Sequence, residues 1–230
     1  MRELFHAVYY WVNVVTWIRL IIWLVTKRNV TGKENIPRRG PLILASNHLN
    51  LADPPILTAL MPRRIVWLSK QELFDIPVFG ILYHLIGCIP VRRFQSDLRA
   101  LRRCQETLGK GLVLGMFPEG TRSDGAGLGP GEPGTALLAL RTGAPILPVA
   151  IWGTEGITLP ADFLKRTAVN VAYGKPFHLP RREQLRKEDV QQASEEIMRR
   201  IAALLPPRYR GVYAERVSAP TSVGEGGRRD

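Results

Sequence analysis

Short apolar runs alternate along this chain with stretches whose apolar residues recur every three or four positions. Residues 41–46, 64–69, 88–91, 112–117, 146–152 and 169–173 are brief, apolar and bounded by glycine, proline or charge, which predicts strands. Between them, residues 54–60, 77–86, 96–110, 134–142 and 187–205 predict helices. Leu98, Leu101, Cys104 and Leu108 share one face of the third helix, with arginines opposite. Val190, Ala193, Ile197, Ile201 and Leu204 form one stripe of the last. Pro54 suits a first helical turn, while Gly109, Gly111 and Gly143 suit helix ends. Strand and helix in alternation predict an α/β fold: a single layered domain with a largely parallel or mixed central sheet flanked by helices.

The first stretch departs from this pattern. Residues 4–26 are almost continuously apolar and as a helix would run about 34 Å, enough to cross a hydrocarbon core. His6, Asn13 and Arg19 interrupt the run, and its aromatics (Phe5, Tyr9, Tyr10, Trp11, Trp17 and Trp23) are spread along it instead of gathering at two ends. That distribution fits a helix lying in the membrane interface, with Lys27 and Arg28 at the water boundary. A spanning helix and a buried core helix are the alternatives. No small-residue cleavage site follows, which argues against a signal peptide. The expected organisation is a membrane-associating helix over 1–28, a catalytic-sized domain over 29–210 and a flexible tail over 211–230.

Composition adds a constraint. The net charge is +12 and the pI about 10.3, so an anionic partner is implied: an acidic membrane surface, a phosphorylated substrate or nucleic acid. Nucleic acid fits least, because the arginine pairs at 92–93, 102–103, 181–182 and 199–200 are scattered and not interleaved with aromatics. Two cysteines, Cys88 and Cys104, supply neither a disulfide framework nor a metal-ligand spacing and read as reduced thiols.

Two segments carry the chemistry. Ser46-Asn47-His48-Leu49-Asn50-Leu51-Ala52-Asp53 follows a predicted strand. On one continuous helix His48 and Asp53 would point about 140° apart. They meet only if the chain turns between them, which Asn50 and the Pro54-Pro55 pair favour. Asp53 then fixes the imidazole tautomer and leaves the other ring nitrogen free to take a proton. The alternative use of Asp53 is as the cap of the following helix. The second segment, Phe117-Pro118-Glu119-Gly120-Thr121-Arg122-Ser123, also follows a strand. Arg122 offers a planar fork for phosphate oxygens, and Glu119 is placed to hold a substrate hydroxyl or to orient Arg122. Together they point to proton removal from a hydroxyl on a phosphorylated substrate. The glycine-rich stretch 124–134 reads as a mobile loop; it lacks the Lys-Ser/Thr ending of a P-loop.

Taken together, Asn47-His48 with Asp53 and the Phe117–Ser123 segment resemble the signature blocks of the glycerolipid acyltransferase family, nearest to its bacterial 1-acylglycerol-3-phosphate acyltransferases. Lys70-Gln71-Glu72-Leu73-Phe74 with Pro77 and Gly80, Gly87-Cys88-Ile89-Pro90-Val91-Arg92-Arg93, and Ile146-Leu147-Pro148-Val149 resemble further family blocks, in order, across residues 31–176. The resemblance implies acyl transfer from an acyl thioester, on coenzyme A or acyl carrier protein, to the free hydroxyl of a lysophosphatidate. His48 would be the general base and Asp53 its orienting partner. Asn47, Lys70, Arg93, Glu119 and Arg122 would bind the acceptor, with Gly120 and Thr121 shaping that pocket. No cofactor is implied beyond the thioester co-substrate, and the place of action would be the cytoplasmic face of the cell membrane. The sequence holds no Gly-x-Ser-x-Gly elbow, so direct attack by the acceptor hydroxyl suits it better than an acyl-enzyme. Glycerol-3-phosphate or another lysolipid as acceptor, a thioesterase, and a non-enzymatic basic membrane or nucleic-acid binder are the competing readings.

Overall fold

The computed structural model describes residues 16–77, 80, 83–84, 87–91, 97–123, 127–157, 166–182 and 184–215. Among these, seven strands form one mixed sheet: β1 (Thr26–Thr31), β2 (Leu42–Ser46), β3 (Ile65–Lys70), β4 (Ile89–Val91), β5 (Val113–Met116), β6 (Ile146–Trp152) and β7 (Thr167–Tyr173). Their order is β1-β7-β6-β2-β5-β3-β4. Every pair is parallel except β6 with β7. The described α-helices are α1 (Thr16–Val25), α2 (Asp53–Leu60), α3 (Gln71–Phe74), α4 (Leu98–Gly109), α5 (Pro133–Thr142) and α6 (Lys187–Leu204).

The central strands are apolar throughout because both of their faces are covered. In β2, Ile43 and Ala45 join a core that includes Ala100 and Cys104 of α4, Ala139 of α5 and Ile197 of α6. Leu42 and Leu44 join the core on the other face, with Ile22 of α1 and Ile56 and Leu57 of α2. The α/β layered fold expected from the alternation is therefore present, with the sheet mixed. The other expected strands and helices appear with bounds within a few residues, β1 and α3 were not expected, and the helix expected over 77–86 falls largely outside the described residues.

Two boundaries move. The N-terminal helix ends at Val25, not at residue 28: Thr26 turns its hydroxyl back onto the Ile22 carbonyl (2.6 Å), and the chain then enters β1 beside β7. The strand was hidden because its residues, Thr26-Lys27-Arg28-Asn29-Val30-Thr31, are mostly polar and carry no apolar run to mark it. Arg19, a polar interruption in the sequence, donates from Nε to the Ala59 carbonyl (2.7 Å) and from Nη2 to that of Met61 (3.4 Å), closing the C-terminal end of α2. No described helix is long and apolar enough to cross a membrane; Phe5, His6, Tyr9, Tyr10, Trp11 and Asn13 lie outside the described residues. At the other end the tail does not begin at 211. Pro207–Tyr209 and Gly211–Tyr213 form 3-10 turns, and Tyr213 is buried against α6.

Gly115 in β5 marks a close approach. A Cβ there would lie 2.4 Å from Cε3 of Trp67 and 2.7 Å from Cγ2 of Ile65. The Trp67 ring stacks on Phe117 with centroids 5.0 Å apart. Gly115→Ala is therefore expected to cost about 1–3 kcal/mol through overpacking, read as a lower urea midpoint; an unchanged midpoint would mean that the rings yield without cost.

Candidate active site

Strands β2, β3, β4, β5 and β6 run parallel, so the segments that leave them emerge at one edge of the sheet, where open α/β folds hold ligands. His48 follows β2, Lys70 ends β3, Glu119 to Arg122 follow β5, and Thr154 follows β6. Arg93, two residues beyond the end of β4, lies outside the described residues, as does Arg92.

The chain turns between His48 and Asp53 as their chemistry requires. The Asp53 amide donates to the Asn50 carbonyl (3.0 Å), and the Ala52 amide to Asn50 Oδ1 (3.0 Å). This brings His48 Nδ1 to 2.8 Å from Asp53 Oδ2. The same oxygen accepts the amides of Leu49 and Asn50, each at 2.7 Å, and Oδ1 accepts the Thr154 hydroxyl at 2.6 Å. Asp53 is fully buried, and this set of donors compensates for the water that it has lost. It makes no capping bond to the helix that it begins, so the capping alternative does not hold. With both oxygens occupied as acceptors, Nδ1 carries the ring hydrogen and Nε2 keeps its lone pair. The imidazole lies flat on Phe117, centroids 4.0 Å apart and planes 17° apart, which makes Trp67, Phe117 and His48 one stack. His48 is 6% exposed, and Nε2 bonds to no described residue.

Glu119 joins the two motifs. Its Oε1 accepts the His48 amide (3.0 Å) and its Oε2 the Gly129 amide (3.1 Å), while the Ser123 amide donates to the His48 carbonyl (2.8 Å). The residue is 8% exposed. Burial pushes its carboxyl up to about 7, opposed by the Gly129 and His48 amide bonds and assisted by the nearby Asp53 charge. Glu119 thus ties loops together through both carboxylate oxygens, where the sequence suggested a substrate hydroxyl or Arg122 as its partner. Asn47 differs from expectation in the same way: its amide nitrogen donates to the Ile151 carbonyl and its oxygen accepts the Ile151 amide, both at 2.8 Å, extending the pairing of β2 with β6 by a side chain. Gly120 has φ +68°, the left-handed turn expected of it. Thr121, Arg122 and Lys70 are exposed at the rim. The glycine-rich loop is less free than expected over its described part: Leu128 is buried and its amide donates to the Tyr209 carbonyl (2.9 Å).

Thr154 escaped the sequence reading. The only signal was that it follows a strand whose register sets it beside β2. Both thiols are free; burial raises Cys104 to about 12 and Cys88 to about 11, and neither touches the dyad.

The acyltransferase family model matches residues 27–152. A chloroplastic 1-acyl-sn-glycerol-3-phosphate acyltransferase of Brassica napus is 34% identical over 167 residues, covering 70% of this chain and 48% of that protein. The 1-acyl-sn-glycerol-3-phosphate acyltransferase of Borreliella burgdorferi is 32% identical over 165 residues, covering 70% and 64%. This chain therefore spans about half to two thirds of the length of these relatives. The crystal structure of the 1-acyl-sn-glycerophosphate acyltransferase PlsC from Thermotoga maritima superposes with a TM-score of 0.67 at 26% identity, over 96% of this chain and 85% of that one.

The Glu119 carboxyl gives a pH signature. In the folded protein it ionises near 7 and in the unfolded chain near 4.5, so between these values the folded state holds more protons and stability falls as pH rises. Urea denaturation of the wild type is expected to show that decline and Glu119→Gln to lack it, alongside a loss of about 1–3 kcal/mol for the unsatisfied amide. Parallel profiles for the two proteins would refute the assignment.

Proposed function

The chain belongs to the acyltransferase family, and from that premise we propose that it moves a fatty acyl group from an acyl thioester, on coenzyme A or acyl carrier protein, to the free hydroxyl of 1-acylglycerol-3-phosphate. The product is phosphatidate, a phospholipid precursor. The observation that carries the reading is the 2.8 Å contact of His48 Nδ1 with a buried, fully accepting Asp53. His48 Nε2 takes the hydroxyl proton as the oxygen attacks the thioester carbonyl. The tetrahedral intermediate collapses with loss of the thiolate, which recovers the proton from the imidazolium. A thioester is already activated, so the protein needs chiefly to position it and move one proton. Such a base contributes roughly 10²–10⁴ in rate. Arg122 and Lys70, with Arg93, are assigned to the acceptor phosphate on the strength of their charge and their place in the family blocks.

The reading extends to the membrane. Trp17 (59% exposed), Trp23 (56%), Leu24 (47%), Leu20 (45%) and Ile21 (42%) give α1 an apolar outer face, while Ile22 and Val25 pack inward. We assign that face to the interface of an anionic bilayer, on the cytoplasmic side of the cell membrane, with Lys27 near the headgroups. The acceptor is a lipid, so the site would meet it there.

Purified protein with labelled acyl-CoA, acyl carrier protein thioester and a panel of lysophosphatidate, glycerol-3-phosphate and other lysolipids tests the reaction and the acceptor. His48→Ala is expected to remove transfer by about 10²-fold or more with the fold intact; retained turnover excludes His48 as base. For Arg122→Ala the expected change is a Michaelis constant for the phosphorylated acceptor raised about tenfold, the loss of one charge-assisted contact; an unchanged constant excludes the clamp. Replacing Trp17 and Trp23 by serine should weaken sedimentation with phosphatidylglycerol vesicles by about tenfold, and equal sedimentation would place the membrane contact elsewhere.

A further inference from the structure

The turns that follow α6 bond to the two loops that hold the members of the dyad. On one side the Tyr209 carbonyl accepts the Leu128 amide (2.9 Å), and the Val212 amide donates to the Leu128 carbonyl (3.2 Å). The next residue, Gly129, is the one that donates to Glu119, which in turn holds the His48 amide. On the other side the Tyr209 phenol donates to Glu155 Oε1, and Glu155 Oε2 accepts the Gly153 amide (2.9 Å). Between Gly153 and Glu155 stands Thr154, whose hydroxyl holds Asp53.

The backbone of this segment is interlocked with the loop after the second motif. Gly211 has φ +50°, and a Cβ on it would lie 2.2 Å from the Leu128 carbonyl oxygen. Gly127 has φ +90°, and a Cβ there would lie 2.7 Å from the Gly211 nitrogen. Tyr213 anchors the turns in the core that Ile197 and Met198 of α6 line, and Arg210 Nε bonds the Leu205 carbonyl (3.0 Å). A segment that only covered the core would need Tyr213 and none of the polar ties at Tyr209.

We infer that Tyr209 is a positioning residue for the reaction: through its carbonyl it sets the loop that holds Glu119 and His48, and through its phenol it sets the loop that holds Thr154 and Asp53. The inference rests on reading His48 and Asp53 as base and orienting acid. It makes the C-terminal turns part of the active-site framework, although they touch no reacting atom.

The test uses the full chain. Tyr209→Phe removes the phenol tie alone. Its turnover number is expected to fall about tenfold, as for a small misplacement of catalytic groups, while the Michaelis constant for lysophosphatidate stays within about twofold because the phosphate clamp is untouched. Glu155→Ala should act alike, and the double variant should be little worse than either single, since both break one path. Hydrogen exchange reads the same framework without activity. Tyr209→Phe should speed exchange of the Gly153, Leu49 and Asn50 amides, and Gly211→Ala that of Gly129 and His48, with Leu114 in β5 unchanged. Faster exchange confined to residues 206–213, or an unchanged turnover number in Tyr209→Phe, overturns the inference. An inactive wild type would remove the transferase reading and leave the exchange result to decide the framework by itself.

Discussion

The arrangement at the sheet edge depends on keeping one carboxylate dry and accepting. Asp53 has no solvent exposure, and an ionised group in such a place is stable only if donors surround it. Two donors come from the turn that begins immediately after His48, one is the ring itself, and one arrives from beyond β6. The turn that brings acid and imidazole together is thus also the turn that solvates the acid. Geometry and electrostatics are satisfied by the same few atoms, which leaves little latitude in the 48–53 segment. The ring stack adds a second constraint on the imidazole plane: Phe117 lies against one face, supported by Trp67, which fills the space left by the missing side chain of Gly115.

Glu119 plays the complementary part. A second buried acid is costly, chiefly through the water that it loses and less through the nearby Asp53 charge, yet it provides two acceptors aimed at backbone donors from different loops. The cost is local, and the return is that the two sequence motifs, 71 residues apart, are held as one unit. Buried polar ties of this kind select one arrangement of loops among several compact ones, which apolar packing at a sheet edge does poorly.

Much of this was legible in the sequence, for identifiable reasons. The strands at 42–46 and 146–152 are short apolar runs with sharp polar boundaries, and the pairing of His48 with Asp53 needed only a turn that Asn50 and the proline pair advertise. What was not legible depends on partners distant in the chain. Asn47 and Glu119 stood out as residues, but their partners are backbone groups of Ile151 and Gly129 that no side-chain pattern reveals. Thr154 meets an acid 101 positions upstream only because β6 lies beside β2. β1 was masked by its own polar residues, which form no apolar run, and the folded turn at 211–213 lay at the start of a stretch that reads as a tail.

Lys70 and Arg122 stand exposed at the rim, outside the hydrogen bonds that fix Asp53 and Glu119. On the proposed reading, headgroup choice would rest on exposed side chains and proton transfer on buried ones. Rim side chains can be exchanged by drift or by engineering without disturbing the buried acids, so under that reading a change of lipid preference would be an easier step for this scaffold than a change of reaction.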